Sequence, residues 1–270
     1  MKLLAWLKRE PVLAAAWALA LISAIFVPPD AAYVDYLDTR TLALLFCLMA
    51  VMAALQGAGL FHRAGEWLLR RTGTSRQLEA ALIFLCFFAS MLVTNDVALI
   101  TFVPFALEAL GMAGLTRRAI PVVTMQTIAA NLGSMATPVG NPQNLFLCGH
   151  FHLSAGDFFS TLLPYTAVSL LALSAGALVG SRQSVCVRFP QPAAIRRPGL
   201  LAVLAALFAL CLLAVFHVVH YAVVTAVVVT ALLVLAPALL KKVDYSLLLT
   251  FVFFFIFAGN IGQIPALRQL

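Results

Sequence analysis

Two short polar stretches interrupt otherwise apolar sequence, and their residue types suit ion binding. The first, Thr94-Asn95-Asp96, is flanked by Ala89-Ser90-Met91-Leu92-Val93 and by Val97-Ala98-Leu99-Ile100, and no other acid lies so deep in apolar sequence. An ionised carboxylate near a membrane midplane is costly unless it meets a cation, a proton or a solvated cavity, so Asp96 is a candidate ligand for Na+ or carrier of H+. The plainer reading has these three residues joining helices through hydrogen bonds. Asn or Thr alone would serve that purpose, and an added acid works against it.

The second stretch runs Asn131-Leu-Gly-Ser-Met-Ala-Thr137-Pro138-Val-Gly140-Asn141-Pro142-Gln143-Asn144. Proline removes a backbone donor and clashes with the preceding turn, so two prolines and two glycines predict a helix split into two halves. Half-helix N-termini attract anions and half-helix C-termini attract cations. An ordinary loop is the bland alternative, but no charge occurs from Ile120 to Cys148, where a solvated loop of that length carries some. The two stretches are expected to supply facing halves of one site.

The elements that must position them follow from composition. Of 270 residues, 63% are hydrophobic and 10% charged, whereas a soluble domain carries about 25% charged residues. A hydrocarbon core about 30 Å thick needs roughly 20 apolar residues per helix, enough here for about seven crossings. The fold class expected is an all-α, polytopic membrane protein. Apolar runs fall at 12–27, 41–61, 78–110, 120–148, 158–180, 200–217, 221–240 and 247–258.

Charge orients these runs by the positive-inside rule. Lys2, Lys8 and Arg9, then Arg63, Arg70, Arg71 and Arg76, then Arg117 and Arg118, then Arg182, Arg188, Arg196 and Arg197, and finally Lys241 and Lys242 mark cytoplasmic segments, including the N-terminus. Pro28 to Asp38 and His150 to Asp157 carry no Lys or Arg and belong outside, with Arg40 the exception on an outer loop. Both ends of the run 78–110 therefore face the cytoplasm. Its first arm, Leu78 to Val93, would be about 24 Å long, short of the core, and the second arm shorter, so a re-entrant hairpin with Thr94-Asn95-Asp96 at its tip is expected.

Other residues carry less. The net charge of +7 is dispersed among loops, which excludes a nucleic-acid face. Cys47, Cys86, Cys148, Cys186 and Cys211 show no metal-type spacing. His217 and His220 lie at an outer turn without a third ligand. Thr124 and Gln126 either face the site or bond a neighbouring helix. Glu66, Glu79 and Glu108, near cytoplasmic ends, are expected to be solvated. No paired acids, Ser with His, or HExxH motif at membrane depth suggests an enzyme.

A faint internal repeat relates Thr41 to Phe46, followed by Gln56-Gly57-Ala58-Gly59, to Ser246 to Phe251, followed by Asn260-Ile261-Gly262. Opposite directions would make it an inverted repeat. The expected division is one transporter domain: a first repeat at about 12–180, a linking helix at about 199–217 and a partial second repeat at about 220–270.

Thr94-Asn95-Asp96-Val97 and Ala136-Thr137-Pro138-Val139-Gly140-Asn141-Pro142-Gln143-Asn144-Leu145 resemble the paired motifs of the ion transporter superfamily. That superfamily includes divalent anion/sodium symporters, citrate transporters, the arsenical pump membrane component and a sodium/proton antiporter branch. The resemblance implies substrate contacts at Thr94, Asn95, Thr137, Gly140, Asn141 and Asn144, and a coupling-ion site at Asn95, Asp96, Thr137 and Pro138. It implies secondary active transport of an anion, a di- or tricarboxylate such as citrate or a small inorganic oxyanion, coupled to Na+ or H+ in the inner (plasma) membrane. Its partners would be the anion and the bilayer, with homodimer formation left open and no cofactor beyond the coupling ion. Carboxylate symporters carry Ser-Asn-Thr at the tip, whereas Asn-Asp is closer to arsenite efflux or Na+/H+ antiport. The family also carries three helices before the hairpin, against two expected here, and a second hairpin and broken helix, so a whole protein would extend roughly a hundred residues further. A non-transporting assembly subunit or fragment is the alternative from another class.

Overall fold

A computed structural model describes residues 10–178, 182–185, 198–235 and 237–264. Lys2, Lys8, Arg9, Cys186, Arg188, Arg196 and Arg197 lie outside the described residues. Eleven α-helices and no strand occur among those described: α1 (Pro11–Phe26), α2 (Thr39–Gly57), α3 (Leu60–Leu69), α4 (Ser75–Ala89), α5 (Asn95–Met112), α6 (Ala119–Ser134), α7 (Pro142–His150), α8 (Ala155–Leu178), α9 (Pro198–Val215), α10 (Tyr221–Leu235) and α11 (Tyr245–Gln263). The all-α membrane architecture expected from composition is what the chain adopts. Four of these helices, α2, α5, α8 and α11, are long and apolar enough to cross a membrane.

Helix α2 forms the centre. Asp38 caps it, accepting from the Thr41 amide at 2.9 Å, and past its first turn it is apolar on nearly every side, which suits a largely buried helix. Leu44, Leu45, Cys47, Leu48, Ala50 and Val51 are all buried, with α9 and α10 packed on one side. The chain leaves α2 through Gly59, whose φ of 81° is left-handed and costs glycine little. The run 41–61 is therefore broken, and the arginine-rich segment expected as a loop folds into the amphipathic α3. Among the described residues three helices thus precede the hairpin, the two expected apolar ones and the short α3.

Helices α4 and α5 pack together as two arms, but the second is the longer, 18 residues against 15, and is long and apolar enough to cross a membrane, so the length argument for a re-entrant hairpin does not hold for it. The reason is local. Thr94 caps α5, so Asn95 and Asp96 are the first turn of the second arm instead of a loop between arms. Helix α6 lies against both arms. A Cβ on Gly133 would stand 2.1 Å from the Phe87 carbonyl oxygen, so the backbones of α4 and α6 touch there. Buried Gln126 donates through Nε2 to the Leu82 carbonyl at 3.1 Å and the Phe102 carbonyl at 3.5 Å, bonding α6 to both arms. Thr124 only folds back onto the Ile120 carbonyl.

Two acids expected in solvent are buried. Glu79 is 7% exposed and takes a two-point hydrogen bond from Arg118, Nε at 2.8 Å and Nη2 at 2.6 Å. That bond holds the Arg118 guanidinium above its ordinary pKa. Glu66, 4% exposed, lies between His62 and Arg70 of its own helix. Partners that arrive from a helical neighbour or a distant turn remove the need for water. Glu108 is exposed as expected.

Helix α11 packs along α1. Gly259 meets the Tyr36 ring so closely that a Cβ would lie 2.3 Å from it. Fully buried Asn260 donates to Ser23 Oγ at 3.0 Å and to the Tyr33 hydroxyl at 2.8 Å. Helices α2 and α11 are both 19 residues long, and each is capped by an aspartate, Asp38 or Asp244, that accepts the amide three residues on.

Candidate functional site

The run 120–148 splits as its prolines and glycines dictate, into α6 and α7 with a break at 135–141. Asn141, in extended conformation, caps α7 by accepting the Asn144 amide at 2.8 Å. Pro142 then occupies the first helical position, where its missing N–H is no loss.

The broken helix docks on the hairpin tip through three hydrogen bonds. The Asn95 amide donates to the Gly140 carbonyl at 3.1 Å. Its side-chain Nδ2 donates to Asn131 Oδ1 at 3.0 Å, and the Thr137 hydroxyl donates to the Met91 carbonyl. Gly140 is required for this fit: a Cβ there would lie 2.0 Å from the Ser134 carbonyl oxygen. The C-terminal ends of α4 and α6 and the N-terminal ends of α5 and α7 consequently meet at one place. Opposite ends of helix dipoles then lie side by side, an arrangement suited to an anion and a cation together.

Asn144 sits differently from its expected place among the anion ligands. It is 8% exposed, and its Nδ2 donates to the carbonyls of Ser134 at 3.3 Å, Met135 at 3.2 Å and Thr137 at 3.0 Å. The first two stand at the end of α6, where carbonyls lack helical partners; the third lies in the break and also accepts the Gly140 amide at 3.3 Å. Pro138 is buried within the break, while Asn141, Thr137, Asn95 and Thr94 are half-buried.

Asp96 faces elsewhere. One residue along a helix turns the side chain about 100°, and Asp96 opens into a cleft of about 450 Å³ that Thr94, Gln56, Glu10, Lys242 and Asp244 also line. Gln56 is held in place by donating to Thr101 Oγ1 at 2.8 Å. The structure thus brings Thr94 and Asp96 together on the cleft, and Asn95, Thr137 and Gly140 together at the docked break. Among the described residues no three His, Cys, Asp or Glu side chains are grouped to hold a metal ion. A cation at Asp96 would draw its other oxygens from neutral groups such as Thr94.

Residues 2–267 match the citrate transporter family. The chain belongs to that family. It is 28% identical over 225 residues to the uncharacterized transporter MJ0456 of Methanocaldococcus jannaschii, covering 81% of this chain and 59% of that one. Over 138 residues it is 34% identical to the silicon efflux transporter LSI3 of Oryza sativa subsp. japonica, 51% of this chain and 28% of that one. Over 140 residues it is 31% identical to the inner membrane protein YbiR of Escherichia coli (strain K12), 51% of this chain and 36% of that one. The chain therefore spans less than two thirds of each of these relatives.

In this family member, a multi-pass membrane protein, sequence reasoning missed Gln56, Asn131, Lys242 and Asp244 as site residues. Gln56 and Asn131 stood inside motifs already singled out. Lys242 and Asp244 gave only a topological signal, since nothing in their spacing says that the turn before α11 lies opposite the hairpin tip.

Proposed function

We propose that this chain provides a substrate and coupling-ion site for ion-coupled secondary transport across the cell's inner membrane, with its N-terminus cytoplasmic. The carrying observation is the meeting of two helix N-termini and two helix C-termini at the hairpin tip, beside a cleft into which Asp96 opens. The substrate is an anion, a di- or tricarboxylate or a small oxyanion, drawn to the helix N-termini that meet at the tip and contacting Thr94 on the cleft, while Asn141 and the Asn95 amide are engaged in holding the break. Asp96 holds the coupling Na+ or H+, since its carboxylate borders the cleft while Asn95 and Thr137 are tied to the fold. The matching lengths and aspartate caps of α2 and α11 support the inverted-repeat reading.

A second reading follows from the charges of the cleft. Glu10, Asp96 and Asp244 face a single lysine, Lys242, which disfavours a multiply charged carboxylate there and favours efflux of a neutral acid such as arsenite, or Na+/H+ exchange. Uptake of labelled citrate, succinate and sulfate into proteoliposomes, with and without a Na+ or pH gradient, separates the two. Gradient-driven anion uptake that Asp96→Asn abolishes supports the first reading. Cation exchange or arsenite flux without anion uptake supports the second, and no flux of any kind overturns both for the chain acting alone.

A further inference from the structure

Helix α3 carries a surface that transport does not explain. Its outer side carries Arg63 and Trp67, four residues apart, and is continued by Arg70 and Arg71 in the turn that ends the helix; all four are exposed, and Arg70 also reaches Glu66 at 3.9 Å. Trp67 is 59% exposed, and the Arg71 guanidinium lies 4.1 Å over its ring. Glu66, the only acid between Leu60 and Arg76, points inward. The inner stripe is apolar and closely fitted: a Cβ on Gly65 would stand 2.7 Å from the Phe105 ring and 3.3 Å from Leu85. Phe105 belongs to α5 and Leu85 to α4, so α3 rests on both arms of the hairpin.

An amphipathic helix with Trp on its outer face and arginines around it matches the membrane–water interface, where the indole sits at headgroup level and the guanidinium groups meet phosphate. Bilayer leaflets that contain acidic lipids attract such a stripe with about a fivefold gain in affinity per arginine. We infer that α3 is a docking site for acidic phospholipid headgroups, with Trp67 and Arg71 as its anchor and Arg63 and Arg70 beside them. Because α3 supports both hairpin arms, an occupied site braces the hairpin that carries Asp96. The binding is independent of the transport reading, whereas its effect on the hairpin rests on that reading.

The experiment is native mass spectrometry of the purified chain with an equimolar mixture of phosphatidylglycerol and phosphatidylcholine, with inorganic phosphate as a separate arm. Wild type should retain phosphatidylglycerol preferentially, and Arg70→Gln with Arg71→Gln should lower that preference by at least about tenfold. Arg70→Lys with Arg71→Lys, which keeps the charge, should retain most of it, which distinguishes lost binding from misfolding. Equal retention of the two lipids by wild type overturns the inference without any variant. So does an undiminished preference in the glutamine pair, or competition by free phosphate at equal concentration. Transport plays no part in this readout, so loss of the transport reading leaves it standing.

Discussion

Asn95 and Asp96 are adjacent in the chain yet belong to two regions with opposite character. On the side of Asn95, every polar group with a named role is engaged with the protein: Asn95 with Gly140 and Asn131, Thr137 with Met91, Asn144 with the end of α6. On the side of Asp96, a carboxylate borders an open cleft with a lysine and two further acids. The difference separates polar groups that hold a broken helix in shape from those left to a ligand. A break at membrane depth is tolerated only when its free backbone groups find partners, and here Asn95 of the hairpin and Asn144 of α7 supply them.

The largest loss should come where backbones touch. Gly140→Ala would push a methyl against the Ser134 carbonyl, and overpacking against backbone costs about 3 kcal/mol or more. The melting temperature in detergent should fall by several degrees, or folded protein should fail to accumulate. A melt unchanged within error would show that the break is not tightly closed.

Next is Asn144. Replacement by Ala takes the Asn144 donor from the Ser134 and Met135 carbonyls and leaves Thr137 only the Gly140 amide at 3.3 Å, at a cost of about 2 kcal/mol. Asn144→Asp should be no better, because a carboxylate accepts and cannot donate. If Asn144 served chiefly as an anion ligand, both variants would melt like wild type and lose substrate binding only, and thermal scans with and without citrate distinguish the outcomes.

Much of this was legible in the sequence. The pairing of two arms followed from arginines at both ends of one apolar run, and the split helix from absent charges and well-placed prolines. The all-α membrane fold followed from composition. What stayed hidden depends on contacts between distant residues. Glu79 looked solvated because Arg118 lies 39 residues away. The run 60–69 looked like a loop because arginines mark cytoplasmic segments without saying whether they fold. Asn144 looked like a ligand because a side chain that caps the preceding half-helix and one that binds an anion have the same composition.

A third polar cluster extends the comparison to the opposite end of α2. Arg40 donates from Nη1 to His217 Nε2 at 3.0 Å and from Nη2 to the Ala214 carbonyl at 2.9 Å, closing the end of α9. Arginine can only donate, so Nε2 must accept and the ring must be neutral. Burial first, then the charges of Arg40 and His152, lower the His217 pKa below its ordinary 6.5. The sign follows from proton uptake. Below pH 6.5 the unfolded chain takes up a proton that the folded chain refuses, so this contribution is complete above pH 6.5 and declines as pH falls toward the folded value. Melting temperatures from pH 7.5 to 5 should fall for wild type and fall less for His217→Asn, which keeps an acceptor and tolerates the positive φ. Equal slopes would show that the titrating group is not His217.

The smallest effect on stability should come at Asp96, and it decides the comparison. Asp96→Asn removes a carboxylate from the first turn of α5, where the helix dipole favours an acid by up to about 1 kcal/mol, but it breaks none of the bonds that dock the tip. Asn95→Ala breaks the bond to Asn131 and should cost about 1–2 kcal/mol. In a paired experiment the two neighbours should separate: Asn95→Ala melts earlier, while Asp96→Asn melts within about 1 kcal/mol of wild type and loses coupled flux in proteoliposomes. Were Asp96→Asn the less stable of the two, the carboxylate would be part of the scaffold, and the ligand-facing side of the tip would have to be sought among Gln56, Lys242 and Asp244.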